Sequence, residues 1–498
     1  MYSVIRGEVY YRKHNPDYTA FHPGYALNEH SMSNNIQIVS PVDGSIVAQR
    51  ELAGEAEILS TIQAANTARA AWKHTSVQQR AVLCHKAIDI MRDNAAELAI
   101  EITRLMGRPV AHSPGEIHGL EQRARYMIDI AGQELADIQI KDTETNNKPG
   151  LTRLIRHEPL GTVLVLAPWN YPYLTAVNSI IPALMAGNTV ILKHSKQTLL
   201  CAERFHQAFT EAGLPAGVFQ YLHLDHKSTS KLIKNSSINF VSFTGSVSGG
   251  ESIELAAAGL FKGVALELGG KDPAYVMRDA ELDHSVENLV DGAFFNSGQS
   301  CCAVERIYVH ADIFDPFVEQ FVDQVKQYRL GNPLQADTTL GPMVNARAAE
   351  FVREQINQAV ASGAKACIDV ELFEANQPGT NYLAPQVLVD VTHEMAVMKQ
   401  ESFGPVVGIM KVSNDAEAIE LMNDSEYGLT ASIWTRDETK AAELGAQIQT
   451  GTVYMNRCDY LDPALAWVGV KNSGRGCSLS ALGYEQLTRP KSFYLKNI

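Results

Sequence analysis

Apolar residues recur at three- and four-residue spacing from Gly54 onwards, with Ile58, Ile62, Ala65, Ala68 and Trp72 forming one stripe. That period predicts a helix. A second long helical pattern covers residues 77–106 and stops at Gly107-Arg108-Pro109; a third covers 116–136. The period then shortens. Residues 138–141 and 151–156 alternate around a polar stretch, 142–150, which predicts a hairpin. From Gly161 the pattern repeats. Apolar runs at 162–167, 189–193, 218–222, 238–244 and 263–268 are separated by helix-like segments. Strands alternating with helices imply right-handed crossovers and a doubly wound parallel sheet, with ligands beyond the carboxyl ends of the strands. After Asp272 the alternation resumes, with helices at 314–328, 346–362, 416–423 and 438–449. Strands follow at 306–309, 406–412, 430–435 and 451–456. The fold class is therefore α/β, a Rossmann-like domain followed by a second α/β domain.

The stretch 160–192 contains no charged residue, but Pro168, Pro172, Pro182, Gly187 and three asparagines interrupt it. A membrane helix needs about 20 apolar residues with few breaks, so this stretch reads as strand, loop, helix and strand inside a buried sheet. Hydrophobic residues make up 45 % of the chain, enough for a large core. A net charge of −14 without a long basic cluster argues against nucleic acid. The seven cysteines show no metal-ligand spacing and suit a reducing cytoplasm. Residues 1–35 are polar, aromatic-rich and irregular and are expected to be a peripheral extension, with the first 31 dispensable and Met32 a second possible start.

Four stretches carry candidate chemistry. Cys301 and Cys302 follow a helix that breaks at Ser297-Gly298, and a thiol at an element end can act as a nucleophile or be a small buried hydrophobe. Glu267, at a strand end, suits a general base tuned by burial, or an ion pair with Lys271 or Arg306. Asn170 ends the first strand of the sheet, where its amide can serve an oxyanion or cap the next helix. Gly245, Ser246 and Gly250 lie in a strand-to-helix turn that could cradle a phosphate, a weak signal alone, and Lys193 ends the second strand.

Together these stretches resemble the aldehyde dehydrogenase superfamily, from about Ile36 to the end of the chain. The likeness is carried by Pro168-Trp169-Asn170-Tyr171-Pro172, Phe243-Thr244-Gly245-Ser246, Glu267-Leu268-Gly269-Gly270-Lys271, Gly298-Gln299-Ser300-Cys301 and Glu401-Ser402-Phe403-Gly404-Pro405. The resemblance implies oxidation of a small aldehyde to an acid with NAD or NADP. Cys301 would be the nucleophile, Asn170 and the Cys301 N–H the oxyanion hole, and Glu267 the base for water. Trp169, Lys193, Gly245, Ser246, Gly250, Glu401 and Phe403 would contact the cofactor. Lys196 stands where many NAD-preferring relatives have a glutamate, so it could attract a 2′-phosphate. Residues 222–226 replace the usual glycine-rich stretch at the adenine end. The resemblance further implies a cofactor domain at 36–137 and 161–266, a catalytic domain at 267–470, and a hairpin and tail at 138–160 and 471–498 that join a homodimer or homotetramer. An enzyme passing the thioester to coenzyme A, and a non-catalytic binding protein on the same fold, are the alternatives. Tyr173, Leu174, Asn178 and Ser300 are expected along the substrate tunnel; no arginine stands out there, which leans towards neutral aldehydes.

Overall fold

The computed structural model describes residues 35–141, 148 and 150–497. The expectations for residues 1–31 and for most of the polar loop 142–150 lie outside them. Two sheets organise the rest. In the first, the parallel strands run in the order Gly263–Glu267, Ile238–Thr244, Thr162–Ala167, Thr189–His194, Phe219–Tyr221. Every residue of Thr162–Ala167 is buried, as expected of a strand covered by helices on both faces. An edge strand that the periodicity did not announce, Gly474–Arg475, pairs antiparallel with Gly263–Glu267.

The second sheet runs Lys365–Ala366, Gln386–Val389, Val406–Val412, Val304–His310, Asp272–Val276, Thr430–Trp434, Thr452–Met455, and only its first pair is antiparallel. A third sheet joins Ile138–Gln139, Leu151–Pro159 and Thr488–Lys496, so the C-terminal strand completes the hairpin of its own chain. Among the described residues, no helix is long and apolar enough to cross a membrane. The uncharged stretch 160–192 resolves into a strand, the helix Pro172–Met185 and a second strand.

The helix expected over 77–106 is two helices, Val77–Asp93 and Ala95–Met106. Asn94 leaves helical geometry at φ −97°, ψ 11°, and its side chain bonds back to Ile90 O at 2.7 Å. An asparagine side chain competes with the backbone for such partners, a local effect that apolar spacing does not register.

Candidate active site

The helix Leu282–Phe294 runs into a short turn, Phe295–Gly298, in which Asn296 and Ser297 take left-handed φ values of 54° and 56°. Such backbone costs about 1 kcal/mol or more per non-glycine residue. The surroundings hold it in place. Arg108 Nε donates to Asn296 Oδ1 at 3.1 Å, Asn296 Nδ2 donates to Gln299 O at 3.2 Å, and Ser297 Oγ donates to Gly341 O at 2.8 Å. The turn brings the next residues against Gly270, where a Cβ would lie 2.1 Å from the Cys301 carbonyl oxygen. Only glycine permits that approach.

The two adjacent thiols differ. Cys301 is partly exposed, and among the described residues its N–H has no acceptor. Cys302 is 3 % exposed, and its Sγ donates to Asp459 Oδ1 at 2.9 Å. A hydrogen bond with Cys301, and then burial, push the Cys302 thiol above its ordinary pKa. Asp459 is itself left-handed, at φ 47°. Burial lifts its carboxyl to about 7, against the opposing pull of Cys302.

Asn170, 5 % exposed, donates from Nδ2 to Gln299 O at 3.2 Å, two residues from Cys301. Its own carbonyl accepts from Arg108 Nη2. Arg108 also pairs with Glu116, and both side chains are almost wholly buried. Glu116 Oε1 in turn accepts from Tyr173 N at 2.7 Å and Leu174 N at 3.2 Å, which satisfies the first turn of Pro172–Met185. Arg108 and Glu116 thus tie the asparagine loop to the nucleophile loop. Neither was singled out in the sequence, because their partners lie up to 188 positions away.

Among the described residues, Glu267 forms no ion pair. The hydroxyls of Ser478 and Thr244 donate to it, the latter at 3.3 Å, and burial raises its pKa. Lys271 pairs with Glu305 instead, and Arg306 Nε donates to the Lys271 carbonyl at 2.9 Å. The ion-pair alternative for Glu267 is therefore excluded.

The expected cofactor residues are spread over strand ends, the turns that follow them and the loop before Val406–Val412. Lys193 is the penultimate residue of Thr189–His194; burial lowers its pKa, opposed by Asp225. Lys196 is exposed. Ser246, also exposed, caps the helix Val247–Ala257 by accepting from Gly249 N at 3.2 Å, with Gly245 before it and Gly250 inside the helix. Residues 222–226 lead into the helix His226–Lys234, with His223 Nε2 3.0 Å from Glu203. Glu401 Oε1 accepts from Gly270 N at 2.9 Å; burial first, then Glu305, raise its carboxyl to about 8. Glu305 accepts from Ser402 N at 2.8 Å and Phe403 N at 2.9 Å. The Phe403 ring meets Trp169 edge-on at 5.7 Å.

The tunnel expectation needs one correction. Tyr173 is wholly buried, with its ring 5.4 Å from Phe205, so it belongs to the core.

The aldehyde dehydrogenase family model matches residues 28–493. This chain belongs to the aldehyde dehydrogenase family. It is 34 % identical over 449 residues to the succinate semialdehyde dehydrogenase [NAD(P)+] Sad of Escherichia coli K12, covering 90 % of this chain and 95 % of that one. It is also 34 % identical to succinate-semialdehyde dehydrogenase [NADP(+)] 1 of Mycobacterium tuberculosis H37Rv, across 92 % of this chain and 99 % of the relative. The succinic semialdehyde dehydrogenase of Streptococcus pyogenes, solved with NADP+, superposes with a TM-score of 0.87 at 28 % identity, over 93 % of this chain and all of the other. This aldehyde dehydrogenase has the family's α/β architecture and oxidises an aldehyde to the acid with NAD or NADP.

Proposed function

We propose that Cys301 is the nucleophile of this oxidation, Asn170 and the Cys301 N–H its oxyanion donors, and Glu267 its general base. One observation carries the assignment: of two adjacent thiols, only Cys301 is open to a substrate, while Cys302 is turned away onto Asp459. The Cys301 thiolate adds to the aldehyde carbon and the carbonyl oxygen becomes an alkoxide. The unengaged N–H and the Asn170 amide receive that charge, a type of contact worth about 3–4 kcal/mol in transition-state stabilisation. A nicotinamide cofactor, when bound, supplies the acceptor for the hydride that leaves the tetrahedral carbon. The carbon stays bonded to sulfur as a thioester. Glu267, whose proton affinity burial raises, takes a proton from water, and the hydroxide releases the acid and restores the thiolate.

The residues fit a dinucleotide. The exposed Ser246 at the start of Val247–Ala257 leaves helix N–H groups suited to a pyrophosphate. Lys193 and Glu401 suit the two riboses, and the Trp169–Phe403 pair suits a flat ring. The hairpin with the strand Thr488–Lys496 suits the contacts of a homodimer or homotetramer in the cytoplasm.

The test is reduced-cofactor absorbance with acetaldehyde and with succinate semialdehyde, with and without coenzyme A. Cys301→Ala is expected to lose at least about 10⁴-fold in kcat and Cys302→Ala no more than about threefold. The reverse pattern would reassign the nucleophile.

A further inference from the structure

We propose that Arg123 binds an anionic group at the far end of the substrate, so that the preferred aldehyde carries a carboxylate. This rests on the aldehyde-oxidising role of Cys301 given above. Arg123 lies in the helix Pro114–Glu134 and is 7 % exposed. Only one of its nitrogens is engaged: Nη1 donates to Leu174 O at 3.0 Å and to Asn178 Oδ1 at 3.4 Å. Among the described residues it forms no ion pair, and neither Nε nor Nη2 makes a hydrogen bond. Yet these two nitrogens are not sealed in the protein, as Arg80 Nε is; each keeps a little accessible surface. The partners of Arg123, Leu174 and Asn178, sit in the helix Pro172–Met185 that follows the Asn170 loop, and its charge is felt at Asp459, the acceptor of Cys302.

A buried cation without an acid is costly, and folds rarely leave one so. The other two buried arginines of the site use their donors inside the fold. Arg108 is matched by Glu116, Asn170 O and Asn296. Arg306 is spent on three carbonyls and the Tyr308 hydroxyl. Arg123 alone of the three keeps an open edge. Nε and Nη2 present parallel N–H groups, the fork that a carboxylate fills with two oxygens. A phosphate would fit the fork but would bring a second negative charge towards Glu267 and Asp459. The structure therefore points away from the neutral substrate that the uncharged tunnel positions suggested.

The experiment compares kcat/KM of the full-length enzyme for an aldehyde ending in a carboxylate, an unbranched neutral aldehyde of the same length, and a phosphorylated aldehyde. The wild type is expected to prefer the carboxylated compound. Arg123→Gln is expected to lower the ratio of carboxylated to neutral kcat/KM about thirtyfold, mainly through KM, the weight of a charge-assisted contact. Equal losses on both, a wild-type preference for the neutral aldehyde, or a preference for the phosphorylated one would overturn the proposal. If Arg123→Gln does not fold, wild-type inhibition decides: a dicarboxylate should compete with the aldehyde, and its half-amide should not; equal inhibition would overturn the proposal. Failure of the wild type to oxidise any aldehyde would instead refute the reading of Cys301.

Discussion

The two sides of Cys301 treat charge in opposite ways. On the cofactor side, the buried Lys271 ammonium meets Glu305, and Glu305 also accepts two backbone N–H groups from Ser402 and Phe403. These two charges are partnered inside the fold, and the pair sets the shape of the loop that carries Glu401. On the substrate side, among the described residues, Arg123 keeps two donors open, and Asp459 has only a thiol and a hydroxyl for partners. Charges that build shape are closed within the protein. Charges that await a ligand are left incomplete, and burial makes that incompleteness expensive enough to be informative.

The sharpest way to break this contrast is to open the closed side. Glu305→Gln leaves Lys271 buried beside a neutral amide, and the loss of one partner of a buried pair costs about 3–5 kcal/mol. Denaturant unfolding should show that loss, and the Glu401–Phe403 segment should gain amide exchange. A change within experimental error would mean that the pair does not hold the loop.

The open side should respond to pH instead. The Asp459 carboxyl titrates near 7 in the fold, against about 4 in an unfolded chain. A raised acid favours folding in its protonated form, so its contribution is fully present below about pH 4 and is lost as pH rises to about 7. The ceiling is about 4 kcal/mol. Because Asp459 keeps a narrow opening to solvent, about 1–2 kcal/mol is the realistic size. Asp459→Asn removes this dependence. Its stability relative to wild type should climb between about pH 4 and pH 7 and then level off. A flat difference would show that Asp459 is solvated and belongs with the surface acids.

Glu267 stands between the two sides. Glu267→Gln should slow thioester hydrolysis about a hundredfold, and a mass shift equal to one acyl group should appear on the peptide holding Cys301. The wild-type rate should rise with pH through the raised Glu267 pKa, since only the carboxylate accepts the proton of water. A variant that turns over slowly without an adduct would move the slow step ahead of the thioester.

The closed and open sides were not equally readable from the chain. Asn170, Lys193 and Glu267 could be found because each ends an apolar run, and the carboxyl ends of parallel strands are where such sheets bind ligands. Cys301 could be found from a helix that breaks at Ser297-Gly298, although nothing local revealed that Asn296 and Ser297 would both turn left-handed. Glu305 was hidden. It lies in the strand Val304–His310, and its meaning comes from Ser402, 97 positions later, and Lys271, 34 positions earlier. Arg123 looked like one more polar residue on a long helix, because only the packing of Pro114–Glu134 on Pro172–Met185 buries it. Periodicity reports which face of an element is buried. It does not report which charges that burial leaves without partners.

The smallest effect belongs to the exposed end of the cofactor side. Lys196 begins the short turn Lys196–Thr198 and, among the described residues, forms no ion pair. In that respect it resembles Arg123, but water surrounds it, so a lack of partner costs the fold little and says less about a ligand. If it nevertheless meets the 2′-phosphate of NADP, Lys196→Glu replaces an attraction with a repulsion at one position. The ratio of kcat/KM with NADP to that with NAD should then fall about tenfold at low salt, and by less as ionic strength rises. Stability should not change beyond about 0.5 kcal/mol. An unaltered cofactor ratio would mean that the adenosine end is read elsewhere, with the Lys193–Asp225 neighbourhood the next place to look.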